Sequence, residues 1–467
     1  MIFTAVYCRG QEFYLKNICK PTSFDERETM KMVKREPVKI ILDLTPLKNG
    51  FYADASRSGI FFTVRNILSQ LLQRNDIELY FNITCSEPDT FVKTMLVTER
   101  EFPQHLQFIS SRLVSNSGIF SKGINALFYA VLAGKARYKN SFIGNFFRIA
   151  NFALGKTVKL FKLHYSDKIR EKHEISDCNF LSLMYAVPEH IKQIIPSEKR
   201  FTMLYDAIPT ICAGVVSQNP WYNEVVANLS SDENYLAISK ATADDFKRLF
   251  PILSNLEIPV VLLASAECFN SVKNDELANN IRKKYNISSD KKIVFSHCSL
   301  APHKNLERLL RAFVSFSKDN KQYQMVFGGA NAGRSKDKLF ADLGIADSSS
   351  IIFTGYIDDK ELPELYRMAD IFCFVSLYEG FGLPVLEAMS CGTPCLASST
   401  SSIPEVAGDA ALLVDPYDEK AIAAGLERLA NSPELRSAMR EHGLKRATMF
   451  SWQNTAEKIV AYITMLQ

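Results

Sequence analysis

The amino-acid sequence predicts an α/β protein made of two doubly wound parallel-sheet domains that face one another across a cleft. Its 467 residues exceed what one hydrophobic core supports, so two domains of roughly 200 residues each are expected. Short apolar runs of the kind buried on both faces of a parallel sheet alternate with segments of helical periodicity. That alternation starts at Val38, is interrupted by the polar stretch from Ser271 to Lys292, and then restarts.

Composition narrows the class. With 47% hydrophobic and 23% charged residues, the chain lies far from disordered compositions. A net charge of +4 is small for this size, and no nucleic-acid partner is expected from it. The ten cysteines form no CxxC pair and no Cys/His ligand spacing. Cys373 lies inside the apolar run IFCFVS, and Cys391 and Cys395 in CGTPC suit neither a zinc site nor a thioredoxin-like pair. They read as reduced structural cysteines of a cytosolic protein. The opening MIFTAVYCRGQEF lacks the basic n-region and long apolar core of a signal peptide. Residues 1–37 read as a leader, disordered or upstream of the true start, with Met30 and Met32 just ahead of the first strand. No apolar stretch reaches the ~18 to 20 residues of a membrane-spanning helix, the nearest being INALFYAVLAG.

The first domain is expected over residues 38–270. VKIILDL, Val38 to Leu44, is its first strand. RSGIFFTVRNILSQLLQR then sets Ile60, Val64, Ile67, Leu68, Leu71 and Leu72 on one helical face, opening at Gly59. ELYFNIT completes a strand, helix, strand unit. An insertion near 102–172 follows, with no Asp or Glu between Phe102 and Ser166 but Arg and Lys from Arg112 to Lys162 interleaved with Phe, Leu and Ile. Stretches such as NSFIGNFFRIANFALGKTVKLFKLHY look like basic amphipathic helices. They suit docking on an anionic membrane surface, or a helical insertion whose aromatics pack on the domain. Strands resume at NFLSLMY, FTMLYDAIP and YLAIS; the helix KATADDFKRLF follows, and IPVVLLA closes the domain.

The second domain is expected over 271–450. It reads KIVFS, helix NLERLLRAFVSF, QMVFGG, IIFTGY, helix ELPELYRMA, IFCFVS, ALLVD and a helix around KAIAAGLERLA. A C-terminal helix over 451–467 is expected to pack back towards the first domain.

In such sheets ligands bind at the carboxyl ends of the strands. Three loops of the second half carry suitable chemistry. After KIVFS, the segment HCSLAPHKNLERLL sets His303, Lys304 and Asn305 at a helix start, where Lys304 and the helix amides could meet a phosphate. A lone strand-end lysine is more often structural or solvated. The second loop lies in SLYEGFGLPVLEAMSCGTPCLASS, Ser376 to Ser399. Gly380 and Gly382 allow close backbone approach, Pro384 suits a first helical turn, and Gly392 stops the helix. Glu379 and Glu387 would approach a ligand from different sides. Amides for phosphate beside carboxylates for hydroxyl groups suit a molecule that is part phosphate, part sugar. The bland reading is that Glu387 merely solvates its helix. The third loop, SSTSSIPEVAG, is polar and says nothing alone.

Taken together, the E-x7-E spacing of Glu379 and Glu387 within EGFGLPVLEAMSCGTP, PHKNLERLLRAF, GYIDDKELPELYRMAD and SSIPEVAGDAALLVDP resemble the retaining GT-B glycosyltransferases of family four, the glycosyl transferases group 1. The resemblance covers the second half in order and extends more weakly to RSGIFFTVRNIL, MLYDAIP and LAISKAT. It implies two Rossmann-like domains across a cleft. It further implies Glu387 on the ribose hydroxyls, Lys304 on the donor diphosphate, and Glu379 with the backbone of Gly380, Phe381, Gly382 and Leu383 on the sugar and phosphate. The backbone near Tyr356 and Ile357 would meet the base, and Gly59 would line the first-domain side near the phosphates or the acceptor. Two departures matter. His303 stands where many relatives have Arg, so its charge on the phosphate depends on protonation. Tyr205 precedes Asp206 where many have His. Similar Tyr-Asp pairs among mannosyltransferases of surface polysaccharide synthesis tilt the donor towards GDP-mannose, with a UDP-sugar as the alternative.

The implied chemistry is sugar transfer to a glycan or lipid-linked acceptor with retention, with Glu379, Lys304 and Asp206 as catalytic candidates. No metal and no further cofactor are expected. Three rivals remain: a glycoside hydrolase, which would leave Lys304 unexplained; a nucleotide-sugar epimerase of the same fold; and an inactive binding protein, raised by Tyr205 and His303. The expected location is cytoplasmic, peripheral on the inner face of a membrane.

Overall fold

A computed structural model of the protein describes residues 36–51, 59–84, 90–117, 131, 150, 167–169, 175–213, 219–297, 299–329, 336–345 and 349–467. The expected leader and most of the expected basic insertion lie outside these residues. So does the membrane-docking reading built on that insertion.

Strands β1 (Val38–Asp43), β2 (Ile77–Asn82), β5 (Asn179–Ser182), β6 (Arg200–Leu204) and β7 (Asn234–Ala237) form a parallel sheet in the order β2-β1-β5-β6-β7. A small antiparallel pair, β3 (Ser115–Ser117) with β4 (Asp167–Ile169), stands apart from it. The second sheet has the order β10-β9-β8-β11-β12-β13. Its strands are β8 (Lys292–His297), β9 (Tyr323–Gly328), β10 (Ile351–Gly355), β11 (Ile371–Phe374), β12 (Cys395–Ser398) and β13 (Ala411–Val414), all parallel. The strand order reverses between β1 and β5 in the first sheet and between β8 and β11 in the second. Loops leaving the carboxyl ends at those reversals border the natural crevice of such sheets.

IPVVLLA makes a single parallel bridge, Ala237 to Val260, because Pro259 has no N–H to extend the ladder. Helix α1 (Gly59–Leu71) buries Phe61, Val64, Ile67, Leu68 and Leu71. Ile60 and Leu72 pack half-buried against the same core, Ile60 also bordering the cleft and Leu72 lying one residue beyond the helix.

Helices flank both sheets. Those that matter for the site are α2 (Lys240–Leu249), α3 (Leu306–Ser317), α4 (Leu362–Met368), α5 (Leu383–Ser390), α6 (Ile403–Ala407) and α7 (Trp452–Met465). Helix α7 crosses back to the first half and packs on α1. There Thr455 Oγ1 donates to the carbonyl of Leu262 at 2.6 Å, and the Tyr462 ring meets Phe201 edge-on, with centroids 6.0 Å apart. An apolar core runs without a break from Ile40, Phe61 and Phe81 in the first half, through Ile459 and Ile463 of α7, to Phe295, Phe372 and Leu386 in the second.

Candidate active site in the cleft

A cavity of about 1180 Å³ lies between the halves, at the carboxyl ends of the second sheet's central strands. It is lined by Lys304, Glu379 and Glu387 from one side and by Gly59, Tyr205 and Asp206 from the other.

Lys304 ends a short turn, Pro302–Lys304, directly after β8. Asn305 follows at φ 60, and its amide donates to the carbonyls of Val375 and Pro416 at 2.9 and 2.7 Å, which ties the turn to the end of β11. Lys304 Nζ then lies over the Phe374 ring, 5.7 Å from its centroid, and donates to both carboxylate oxygens of Glu379 at 2.7 and 2.9 Å. The two side chains thus neutralise one another.

The loop after Glu379 is held from both sides. The Ser401 hydroxyl accepts from the Glu379 amide at 2.9 Å, and the Ser402 hydroxyl meets the carbonyls of Glu379 and Phe381 at 3.0 and 2.9 Å. The carbonyl of Gly380 faces the opposite half, where Ser239 Oγ donates to it at 2.7 Å. A methyl group on Gly380 would lie 2.2 Å from the Tyr205 carbonyl oxygen, so only glycine fits. Gly382 stands at φ 104 and caps α5, its carbonyl accepting from Val385 at 3.0 Å. Among the described residues, the amides of Gly380, Phe381, Gly382 and Leu383 meet no protein acceptor.

Glu387, one turn into α5, is half-buried and lines the cavity. Burial pushes its carboxyl up to about 7, against a hydrogen bond donated by Tyr366 Oη to Oε2 at 2.8 Å. Asp206 is pushed up to about 6, again mainly by burial, with Glu379 raising it and Lys304 lowering it; its Oδ1 accepts from the Ile208 amide at 3.0 Å. Burial, with Lys304 beside it, drives His303 down to about 4. His303 is therefore neutral near pH 7, and of the pair only Lys304 brings positive charge. Its Nδ1 is buried without a partner among the described residues, as is Tyr205 Oη.

The structure brings Lys304, Glu379, Gly380, Tyr205 and Asp206 into one cluster. Glu387 forms a second with Tyr366 and His297, whose ring lies edge-on to Tyr366 at 6.4 Å. Tyr356 is exposed at the cavity rim. Ile357 is buried and packs against Gly328, where a methyl would lie 2.2 Å from Ile357 Cδ1. Gly59 opens α1 opposite Leu383, whose Cδ1 would sit 3.5 Å from an added methyl. Tyr366, Ser239, Thr242, Ser401 and Ser402 escaped the sequence reading. Ser401 and Ser402 lie in the SSTSSIPEVAG loop, whose hydroxyls were the only hint. Among the described residues no group of His, Cys, Asp and Glu is arranged to hold a metal ion, and no helix is long and apolar enough to cross a membrane.

Residues 278–446 match the family model of Glycosyl transferases group 1. This segment is a glycosyl transferases group 1 domain. It holds Lys304, the Gly-rich loop and both glutamates. The O-antigen chain mannosyltransferase B of Escherichia coli is 39% identical over 168 residues, 35% of this chain and 44% of the relative. The serotype-specific mannosyltransferase WbdA of Escherichia coli is 28% identical over 278 residues, 57% of this chain and 34% of the relative. The matches thus span less than half the length of these curated relatives. The crystal structure of Anabaena Alr3699/HepE in complex with UDP superposes with a TM-score of 0.58 at 13% identity, covering 92% of this chain and 100% of that one. The fold around the glycosyl transferases group 1 domain is GT-B, two Rossmann-like halves across a cleft.

Proposed function

We propose that the protein is a retaining glycosyltransferase that moves mannose from GDP-mannose to a hydroxyl of a glycan or lipid-linked glycan, in the synthesis of a surface polysaccharide or lipopolysaccharide. The observation that carries this reading is the Lys304–Glu379 pair beside four unpartnered loop amides. A phosphate takes the lysine and the amides, and sugar hydroxyls take the released carboxylate. The two mannosyltransferase relatives support the sugar. The UDP held by the structural neighbour favours the second reading, a UDP-sugar donor at the same site.

In the reaction the bond from the anomeric carbon to the diphosphate oxygen breaks, and a bond from the acceptor oxygen to that carbon forms on the same face. The acceptor proton passes to the departing phosphate oxygen. Negative charge accumulates on the diphosphate, where this reading places Lys304 and the loop amides; neutral His303 can only donate or accept a hydrogen bond. Preorganised donors of this kind are each worth about 10²- to 10³-fold in rate when aimed at developing charge. Glu387 takes the ribose hydroxyls, and Asp206, opposite Glu379, faces the acceptor side. Closure of the halves excludes water and orients the acceptor. Transfer needs no metal, so activity should survive a chelator. We assign the enzyme to the cytoplasmic face of a membrane, held there by its basic segment; flotation with anionic liposomes tests this, and the absence of salt-sensitive binding would overturn it.

The deciding experiment is a thermal-shift panel of GDP, UDP, ADP and dTDP on the wild type and Lys304→Ala. Ligand at 100 times its dissociation constant should stabilise the wild type by about 2.7 kcal/mol. One nucleotide acting on the wild type and losing most of its effect in the variant supports the reading; no shift with any of them sinks it.

A further inference from the structure

Ser239 and Thr242 stand at the start of α2, in the half of the molecule that carries no donor motif, and both are fully buried. The Ser239 hydroxyl accepts from the Thr242 amide at 3.0 Å as the helix cap. Its one proton is within reach of the Gly380 carbonyl across the cleft at 2.7 Å and of Thr242 Oγ1 at 3.0 Å, the carbonyl being the nearer acceptor. Thr242 Oγ1 donates to the Tyr205 carbonyl at 3.0 Å and lies 3.2 Å from the same Gly380 oxygen. The second half answers in kind: the Glu405 carboxylate, on α6, accepts from the Lys240 amide at 2.8 and 3.0 Å, at the positive end of α2.

A trans peptide points its carbonyl and its N–H to opposite sides, and no cis bond occurs among the described residues. Holding a carbonyl therefore aims the next amide. Ser402 holds the carbonyls of Glu379 and Phe381 and so aims the amides of Gly380 and Gly382 from within the second half. Among the described residues, the amide of Phe381 is aimed by what holds the Gly380 carbonyl, and that grip comes from the other half. We propose that Ser239, seconded by Thr242, is a positioning residue for the donor's diphosphate: it completes the anion site of the second half from the first, and only when the cleft is closed. This rests on the nucleotide-sugar reading of the cleft and extends it, since the donor site is incomplete in an open molecule.

The test measures dissociation constants of GDP and UDP, and of guanosine and uridine, on the full chain carrying Ser239→Ala, Ser239→Thr or Thr242→Val. For whichever base binds, Ser239→Ala should weaken the diphosphate roughly tenfold, the scale of one lost hydrogen bond to a phosphate, and leave the nucleoside within about twofold. Ser239→Thr, which keeps both cap and proton, should restore the diphosphate. Thr242→Val keeps the Ser239 cap and should give a smaller loss with the same selectivity; it carries the test should Ser239→Ala not fold. Equal diphosphate affinity in wild type and variants overturns the positioning role and leaves the nucleotide site standing. Equal losses for diphosphate and nucleoside reduce Ser239 to a helix cap and also overturn it. A wild type that binds no diphosphate overturns the nucleotide reading itself, and this proposal with it.

Discussion

On the second-half wall of the cleft the polar groups act through charge: Lys304 against both oxygens of Glu379, and Glu387 beneath the Tyr366 hydroxyl. On the first-half wall, apart from Asp206 and the ion pair of Arg65 with Glu101, they are neutral, among them Thr63, Asn66, Tyr205, Asn219 and Trp221, with the buried hydroxyls of Ser239 and Thr242 behind them. The two walls meet at Gly380, where backbone touches backbone. One wall supplies affinity for an anion, and the other fixes the shape of the loop that receives it. Charge can be contributed by a single side chain, whereas shape needs contacts from two halves far apart in sequence.

Breaking the charged wall should cost most. Lys304→Ala removes the cation and leaves Glu379, 9% exposed, without its partner; diphosphate affinity should fall about a hundredfold and the melting temperature should drop, as calorimetry would register. Gly380→Ala strikes where the walls meet. The added methyl would stand only 2.2 Å from the Tyr205 carbonyl oxygen, a clash that backbone on both sides cannot relieve without the walls parting, so turnover should fall by more than about tenfold, with an expanded molecule in small-angle scattering. An unchanged scattering curve with full activity would mean that closure does not need this contact.

Glu387 sharpens the comparison through pH. Ribose hydroxyls prefer the ionised carboxylate, which in the free protein forms only above about 7, so nucleoside affinity should rise with pH up to that point and level off above it. Between pH 6 and 8 the rise should approach tenfold, and Glu387→Gln should flatten it. The stability effect has the opposite slope. Because folding raises this carboxyl from 4.5 to about 7, its contribution favours the folded state fully below 4.5 and is lost as pH rises through 7. His303→Gln should do least: a ring driven down to about 4 is already neutral, so binding should change less than about threefold and show no new dependence between pH 6 and 8.

The second half was legible because its chemistry is local. Each apolar run from KIVFS to ALLVD became a strand, and Glu379, the glycines and Pro384 lie within one short stretch that reports its own turn and helix start. The first half was less so. IPVVLLA has the composition of a strand, but Pro259 limits it to one bridge, a matter of which amide is missing rather than of hydropathy. Ser239 looks like an ordinary helix cap in LAISKAT, and nothing nearby says that its proton crosses to Gly380, 141 residues away. Tyr366 sits in a helix among apolar neighbours, where a tyrosine reads as packing; only the fold reveals that its hydroxyl meets Glu387. His303 was left open between charged and neutral because its state depends on burial, which no spacing encodes.

Helix α7 belongs to the second half by sequence and to the first by packing, with Thr455 and Tyr462 joined to Leu262 and Phe201. On the ribosome, the face of α1 that α7 covers emerges early and stays uncovered until the whole second half has been synthesised. Domains ordinarily fold in the order in which they are made. Here the first half cannot finish first, and its exposed apolar stripe is a station where a chaperone would dwell and where a stalled or truncated chain would aggregate.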